Sequence, residues 1–227
     1  MSRLEQNGKA GRNAPNNELP VILPASIHIL NAARELFAEF GYADTTVRMI
    51  ARKARVNNAA ISYYYRSKEQ LYEEVFKSSF ASIDLGLDGI VESVDDTASW
   101  RAAVDAWVGR ILFLFLSQDD PELVTLRRLV VYERSNPTPH CAVLLDGFFM
   151  PVISVLRKLI DIAAPDRSVL ERHAMFVSFL GQCTCFLAHE KPWDRVLFPP
   201  DLTTAEWMEM MRKQITGNIL ARLEYKN

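Results

Sequence analysis

The chain has 227 residues, of which 49% are hydrophobic and 24% charged, and its formal net charge is -2. This composition excludes collagen-like and low-complexity classes and is typical of a folded, globular protein. Three Cys residues give no disulfide framework, and no apolar run approaches the roughly 18–20 residues that cross a bilayer. The first residues do not form a charged-then-apolar signal segment, so we expect a cytoplasmic protein with no membrane partner.

The charge is unevenly distributed along the chain. Residues 1–72 carry ten Lys/Arg and six Asp/Glu, whereas the remainder carries 16 basic and 22 acidic residues. The segment 45–68 holds six basic residues and no acidic one. A basic run is often only a solvated helix face, but this asymmetry favours a basic module with an anionic partner, joined to an acidic body.

The first predicted elements are an arm and a helix. Residues 1–24 are polar and contain three Pro, which predicts a flexible N-terminal arm. Apolar residues then recur at helical spacing, with Ser26 as the expected N-cap and Gly41 as the expected left-handed stop.

Two short helices and a fourth helix are predicted next. Thr45 or Thr46 caps the first short helix, and the second begins at Asn57. The second is expected to turn three residues inward, namely Ala60, Ile61 and Tyr64. Ser67 opens the fourth helix through a capping box with Gln70.

The remaining sequence also predicts helices, and no segment shows the sustained alternation of a strand. The fold class is therefore predicted as all-α, with domains at 25–72 and 73–227. The body helices are expected near 98–117, 119–134, 138–162, 166–190 and 203–225.

Two short helices joined by a few residues, the second polar outside and flanked by basic residues, predict a helix-turn-helix. If both short helices pack on the long helix that precedes them, the outer face of the second short helix can enter a major groove. Many helical bundles contain such pairs, so spacing alone leaves a non-DNA-binding helical protein open.

Three segments are more specific than this spacing: ILNAARELFAEFGY at 29–42, TTVRMIARKA at 45–54 and AAISYYYRSKEQL at 59–71. They resemble the TetR family of bacterial transcriptional regulators. Arg55 stands in the turn where most relatives have Gly, which predicts a reshaped turn or an additional phosphate contact. The segments 57–64 and 132–139, with the later Pro151, look most like the CecR-type branch.

The resemblance implies residue roles in DNA binding. Asn58 is the candidate for a base-edge contact, with Ser62 and Tyr63 reaching bases or phosphates. Asn57 either contacts DNA or serves only as N-cap, and Tyr64 and Tyr65 are expected to pack inward. The remaining candidates are phosphate-binding residues, namely Thr46, Arg48, Arg55 and Lys68.

The resemblance also implies a homodimer on a palindromic operator, formed by the last two helices. Individual residues of these helices could equally be internal core. The candidate interface residues are Val177, Ser178, Gly181, Cys185, Trp207, Met211, Ile215 and Ile219.

The family commonly has an effector cavity, and the aromatic-rich body suggests an apolar or aromatic small molecule. Most of these aromatics are expected to be core. The candidate lining residues are Trp107, Phe113, Tyr132, Phe149, Phe176 and Phe179, with Arg128, Gln182 and His189 as polar groups.

Other chemistry has little support in the sequence. Cys183 and Cys185 are two apart on a helix, point nearly opposite ways and are expected to be buried structural thiols. No metal-ligand spacing, nucleotide loop or nucleophile motif occurs, so we expect no metal, no cofactor and no enzyme activity. The sequence therefore predicts a ligand-responsive DNA-binding repressor, with an activator or a helical adaptor as alternatives.

Overall fold

The computed structural model describes residues 24–84, 86–187 and 201–224, and all regular structure within these ranges is helical. This confirms the all-α prediction. All of the predicted arm except Pro24, and the pocket candidate His189, lie outside the described residues. No helix in the described part of the chain is long and apolar enough to cross a membrane.

Residues 24–84, the first described range, contain four helices. They are α1 (Ala25–Asp44), α2 (Val47–Ala54), α3 (Asn58–Tyr65) and α4 (Lys68–Ala81). Their buried apolar residues, such as Phe37, Ile50 and Ile61, belong to one hydrophobic core that continues into the body. The helix-turn-helix therefore rests on a support that is continuous with the rest of the protein.

Both ends of α1 differ from the expectation: the helix begins after Pro24, and it continues past Gly41, across a kink, to Asp44. Pro24 occupies the N-cap position, so Ser26 lies inside the first turn and the predicted Ser26 cap is wrong. Gly41 has φ 74° and ψ 177°, the positive φ that a residue without Cβ adopts most readily. A Cβ there would also lie 3.1 Å from the Tyr132 ring, so both backbone and space favour glycine.

The two threonines at the start of α2 have separate roles. Thr46 is the N-cap, and its hydroxyl accepts the backbone N–H of Met49 at 3.2 Å. Thr45 is buried and donates to the carbonyl oxygens of Leu36 and Gly41. Thr45 thus closes the end of α1 while Thr46 opens α2.

The described part of the body contains six further α-helices. They are α5 (Thr97–Leu116), α6 (Pro121–Ser135), α7 (Cys141–Leu144), α8 (Met150–Ala163), α9 (Val169–Thr184) and α10 (Thr204–Glu224). Helix α5 is the central element, because its Trp100 and Trp107 indoles donate to the carbonyl oxygens of Leu159 and Val152 in α8. The other long face of α5 is covered by α10.

The single helix predicted for 138–162 is interrupted. A π-helical turn at Leu145–Phe149 separates α7 from α8. Pro151, two residues after this turn, has no N–H to donate to it, which explains the local change of hydrogen bonding. Gly147 lies in this turn, where a Cβ would be 2.8 Å from the Phe80 ring.

Candidate functional site

Helix α3 is anchored through its inner face. Ile61 is buried in the core, and the Tyr65 hydroxyl donates to the Ser26 carbonyl oxygen at 2.8 Å. Asn57 is the N-cap, with its Oδ1 accepting the backbone N–H of Ala60 at 2.8 Å. The side chains of Asn58, Ser62 and Tyr63 consequently face solvent.

The expectation that Tyr64 packs inward is wrong. Tyr64 is 45% exposed and Tyr63 is 81% exposed, and their rings meet edge to face at 5.0 Å. Tyr65 does pack inward, as its hydrogen bond to Ser26 shows. The outer surface of α3 therefore carries two adjacent tyrosine rings instead of one.

A surface groove between α2 and α3 brings four of the predicted DNA-binding residues together. Its lining residues are Thr46, Arg48, Met49, Ala51, Arg52, Val56, Asn57 and Asn58. Arg52 is the one basic residue there that was not predicted. It follows Arg48 by four residues, so helical spacing on a basic face is the signal that could have identified it.

The basic charge of this region is partly compensated. The Lys53 ammonium pairs with Glu35 of α1 at 2.6 Å, so it supports the packing of α2. Arg48, Arg52 and Arg55 are exposed and form no ion pair with any residue in the described ranges. These three guanidinium groups are available to an anionic partner.

Lys68 occupies a half-buried position at the start of α4. Its ammonium lies 4.1 Å from the centre of the Tyr42 ring. Burial lowers the pKa of Lys68, and the nearby Glu69 and Asp44 carboxylates oppose that shift. The Tyr42 hydroxyl donates to Glu69 at 2.8 Å; burial and this bond raise the pKa of Tyr42 to about 12.

The turn between α2 and α3 keeps its left-handed geometry despite Arg55. This residue has φ 56° and ψ 42°, and its backbone N–H caps the carbonyl oxygens of Ala51 and Arg52. A Cβ in this conformation costs roughly 1–2 kcal/mol. The turn is thus retained under strain, which leaves the phosphate contact as the interpretation to test.

We expect Arg55→Gly to raise the free energy of unfolding by about 1 kcal/mol, because glycine removes the left-handed strain. If the side chain binds phosphate, the same variant should weaken DNA binding and reduce the slope of log affinity against log salt by about 1. Denaturant unfolding and salt-dependent binding titrations measure the two effects. Increased stability with an unchanged salt slope would exclude the phosphate contact.

The predicted effector-pocket residues do not surround one cavity. A small pocket lies between the α4–α5 connection, α5, α6 and α8. Its lining residues are Ile83, Asp84, Leu87, Arg110, Ile111, Phe113, Leu114, Leu123 and Val152. Among the predicted residues that the structure describes, Phe113 alone lines it.

The other pocket candidates are placed elsewhere. Trp107, Phe176 and Phe179 are buried, with the Arg157 guanidinium over the Phe176 ring at 4.3 Å. Tyr132 donates to the Glu39 carbonyl oxygen at 2.8 Å and so joins α6 to α1. Of the remaining pocket candidates, Arg128 is exposed and the Phe149 ring packs against Phe148. Gln182 accepts a hydrogen bond from the Asn218 amide.

The predicted dimer residues divide into two groups. Val177, Ser178 and Gly181 are exposed on α9, and Cys185 is exposed directly after its last residue. Ile215 and Ile219 are buried within the protomer, where α10 packs on α5; Trp207 and Met211 of α10 are half-buried. Since Cys185 is exposed, the expectation of two buried thiols holds only for Cys183, whose pKa burial raises to about 12.

The described residues contain no group of three or more His, Cys, Asp or Glu side chains placed to hold a metal ion. The surface features left for function are therefore the α2–α3 face, the pocket beside α5 and the exposed faces of α9 and α10.

Solved structures share this fold over most of the chain. AibR, crystallised with isovaleryl coenzyme A and operator DNA, has a TM-score of 0.60 at 19% identity and covers 84% of this chain and 97% of its own. FadR from Bacillus subtilis, crystallised with stearoyl-CoA, has a TM-score of 0.58 at 14% identity, with the same coverages of 84% and 97%. At these identities the similarity establishes the fold.

Sequence relatives match the N-terminal part. The HTH-type transcriptional regulator YhgD of Bacillus subtilis is 33% identical over 64 residues, which are 28% of this chain and 34% of YhgD. MftR of Mycobacterium tuberculosis is 31% identical over 101 residues, which are 44% of this chain and 47% of MftR. The chain thus spans between a third and a half of the length of these relatives, both of which are named as transcriptional regulators.

The family comparison coincides with the helix-turn-helix. Residues 29–75 match the model of bacterial regulatory proteins of the tetR family. This range begins within α1, includes all of α2 and α3, and ends within α4. The chain therefore carries a TetR-family helix-turn-helix DNA-binding domain.

Proposed function

We propose that this protein is a dimeric transcriptional repressor that leaves a palindromic operator when a small effector binds. The observation that carries the proposal is the outer face of α3: Asn58, Ser62 and Tyr63 project to solvent from a helix whose inner face is fixed. Residues 25–72 form the DNA-binding unit in this proposal, and residues 73–227 form the effector-binding and dimerisation unit.

The contacts to DNA divide into two kinds. The Asn58 amide can form a bidentate pair with adenine, and the Tyr63 ring can contact a thymine methyl or a sugar. Arg48, Arg52 and Thr46 line the same groove as Asn58 and are suited to phosphates. Asn57 caps α3 through its Oδ1, which leaves its amide nitrogen free to donate to DNA.

The CecR-like branch is part of this proposal. Its segment 132–139 is supported by one structural feature: Glu133 accepts hydrogen bonds from both the backbone N–H and the hydroxyl of Thr138, at 2.7 and 2.8 Å. These two residues of the segment hold the α6–α7 connection in a fixed shape.

We place the dimer interface on the outer faces of α9 and α10. The Asn218 amide donates to Gln182 at 3.0 Å, which joins the two faces into one surface. Val177 and Met210 are 54% and 53% exposed on it. Apart from the local helix backbone, no heavy atom of the described residues lies within 4 Å of the Cβ position of Gly181 or Gly217. A second copy can therefore approach both helices closely.

Val177→Glu is expected to convert the dimer to a monomer, because two like charges would be buried near the twofold axis. Light scattering measures the mass, and Ile162→Glu is the control, since Ile162 is 46% exposed on α8. A dimer that persists in Val177→Glu would contradict this interface. Deleting α10 is a poorer test, because Ile215 and Ile219 stabilise the protomer itself.

Selection of bound DNA from a random pool tests the proposed function. We expect enrichment of a palindrome with two half-sites, because a dimer presents two α3 helices. A triple variant with Asn58, Ser62 and Tyr63 changed to Ala is the matched control. Absence of enrichment by the wild-type protein at moderate salt would overturn the proposal.

The effector is proposed to enter the pocket beside α5. Val152 and Leu123 connect this pocket to α8 and α6, and α6 contacts α1 through Tyr132 and Glu39. A ligand that displaces α6 would therefore change the position of the DNA-binding unit. The acyl groups of the ligands bound by AibR and FadR support an apolar effector.

A further inference from the structure

Lys68 is a cation in an unfavourable place, the first residue of α4. A positive charge at the N-terminus of a helix opposes the helix dipole, so the charge of Lys68 does not stabilise α4. Its ammonium is half-buried and forms no ion pair with any carboxylate in the described ranges, although Glu69 is its neighbour in sequence and Asp44 lies near it. The charge of Lys68 is therefore available to an anion outside the protomer.

The Tyr42 ring fixes the position of this ammonium. Lys68 Nζ lies 4.1 Å from the centre of the ring, an attraction that needs no carboxylate. The ring is itself held by its neighbours, because it is tilted against the Tyr72 ring at 4.9 Å and stacked 6.1 Å from the Phe37 ring. A ring fixed in this way holds the ammonium in place without neutralising it.

The Tyr42 hydroxyl acts on the carboxylate that would otherwise compete for Lys68. It donates to Glu69 Oε1 at 2.8 Å. Hydrogen bonds from the backbone N–H of Glu69, the Ser67 hydroxyl and the Tyr42 hydroxyl hold the pKa of the Glu69 carboxyl down to about 2. The carboxylate is thus ionised and occupied by these donors, and it does not pair with the adjacent ammonium.

We propose that Tyr42 is a positioning residue for DNA binding: its ring holds the Lys68 ammonium in place for a backbone phosphate, and its hydroxyl keeps Glu69 from neutralising that ammonium. Lys68 follows the last residue of α3, Tyr65, by three residues, so a duplex that accepts α3 in its major groove brings its backbone to this turn. This inference rests on the proposed DNA-binding function. It adds to that function a residue of α1 that acts through Lys68.

Tyr42→Phe separates the role of the hydroxyl from that of the ring. Phenylalanine keeps the ring but releases the Glu69 carboxylate, which can then pair with Lys68 in each protomer of the dimer. We expect the Kd for the selected palindrome to rise roughly three- to tenfold at fixed low salt, because a surface ion pair then competes with each phosphate contact. The slope of log affinity against log salt should fall by about 1 for each phosphate contact that is lost.

Glu69→Gln is the matched control, because glutamine can still accept the Tyr42 hydroxyl but carries no charge that competes for Lys68. When Glu69→Gln is present, adding Tyr42→Phe should leave the Kd unchanged. A purely structural role of the hydroxyl would instead weaken binding equally with and without Glu69→Gln. Adding Tyr42→Leu to Glu69→Gln should still raise the Kd, because leucine has no ring to hold the ammonium.

Unchanged affinity in Tyr42→Phe, or a loss that persists when Glu69→Gln or Lys68→Met is also present, would overturn the inference. If Tyr42→Leu does not fold, Tyr42→Phe with and without Glu69→Gln decides. A wild-type protein that selects no palindrome contradicts the proposed function itself. A palindrome that wild type and Tyr42→Phe bind equally contradicts only the positioning role, so the two failures are separate results.

Discussion

Glu133→Ala is expected to lower the free energy of unfolding by about 3 kcal/mol, because three buried or half-buried donors lose their acceptor. Glu133 is 1% exposed, and its Oε2 accepts the Tyr72 hydroxyl at 2.8 Å. Its Oε1 accepts the backbone N–H and hydroxyl of Thr138. For a chain of this size the Tm should fall by roughly 6–12 °C, measured by calorimetry.

Glu133→Gln is the matched control for this substitution. Glutamine keeps the length and one carbonyl oxygen, so the loss should be clearly smaller than for alanine. A second control, Thr138→Val, removes a single donor while leaving the bond between Glu133 and Tyr72. Equal stability of Glu133→Ala and wild type would show that the hydrogen bonds of Glu133 do not stabilise the fold.

The hydrogen bonds of Glu133 also join α6 to α4 and to the α6–α7 connection. Tyr72 lies on α4, which also carries Lys68 and Glu69 beside the helix-turn-helix. His140 of the α6–α7 connection contacts Glu73 of α4 at 2.8 Å and packs near the Tyr42 and Tyr72 rings. A shift of α6 caused by an effector would therefore be transmitted to α4 through Glu133 and His140.

The sequence predicted the outer face of α3 more successfully than its inner face. Asn58, Ser62 and Tyr63 face solvent as expected, because polar residues at helical spacing rarely cover a core. Tyr64 and Tyr65 could not be distinguished, since α3 has only two turns and both residues neighbour the Ile61 side. Tyr65 is the one that packs inward because its hydroxyl donates to the Ser26 carbonyl oxygen, a contact that a helical wheel does not show.

The body was predicted less well, for a physical reason. Aromatic composition does not separate residues that line a cavity from residues that fill the core. Trp107 is buried with its indole N–H satisfied by Val152, whereas Phe113 on the same helix reaches the pocket. The four-residue spacing of Ile215 and Ile219 likewise predicts a buried stripe without specifying whether α5 or a second copy covers it.

The sequence also could not show which basic residues of the segment 45–68 form ion pairs within the folded protein. The segment 45–68 contains no acidic residue, yet Lys53 is neutralised by Glu35, which is far away in the sequence. Arg52 remains exposed beside Arg48. A count along the sequence therefore identified the basic face correctly but not which cations remain available on it.

Tyr63→Ala is expected to weaken operator binding by about 1–3 kcal/mol, or roughly 5- to 150-fold in Kd. The side chain is 81% exposed, so DNA would bury a ring that contributes almost nothing to the folded protomer. The Tm and the oligomeric state should remain unchanged. Titration of the selected palindrome at fixed salt measures the effect.

Tyr63→Phe separates the two ways in which this residue can act. If the ring packs on a thymine methyl or a sugar, phenylalanine should bind nearly as well as tyrosine; if the hydroxyl contacts a phosphate, phenylalanine should lose most of the affinity. Tyr64→Ala serves as a further control, because it removes the edge-to-face neighbour of Tyr63 at 5.0 Å without removing Tyr63 itself. Unchanged affinity in Tyr63→Ala would exclude the outer face of α3 as the reading surface at this position.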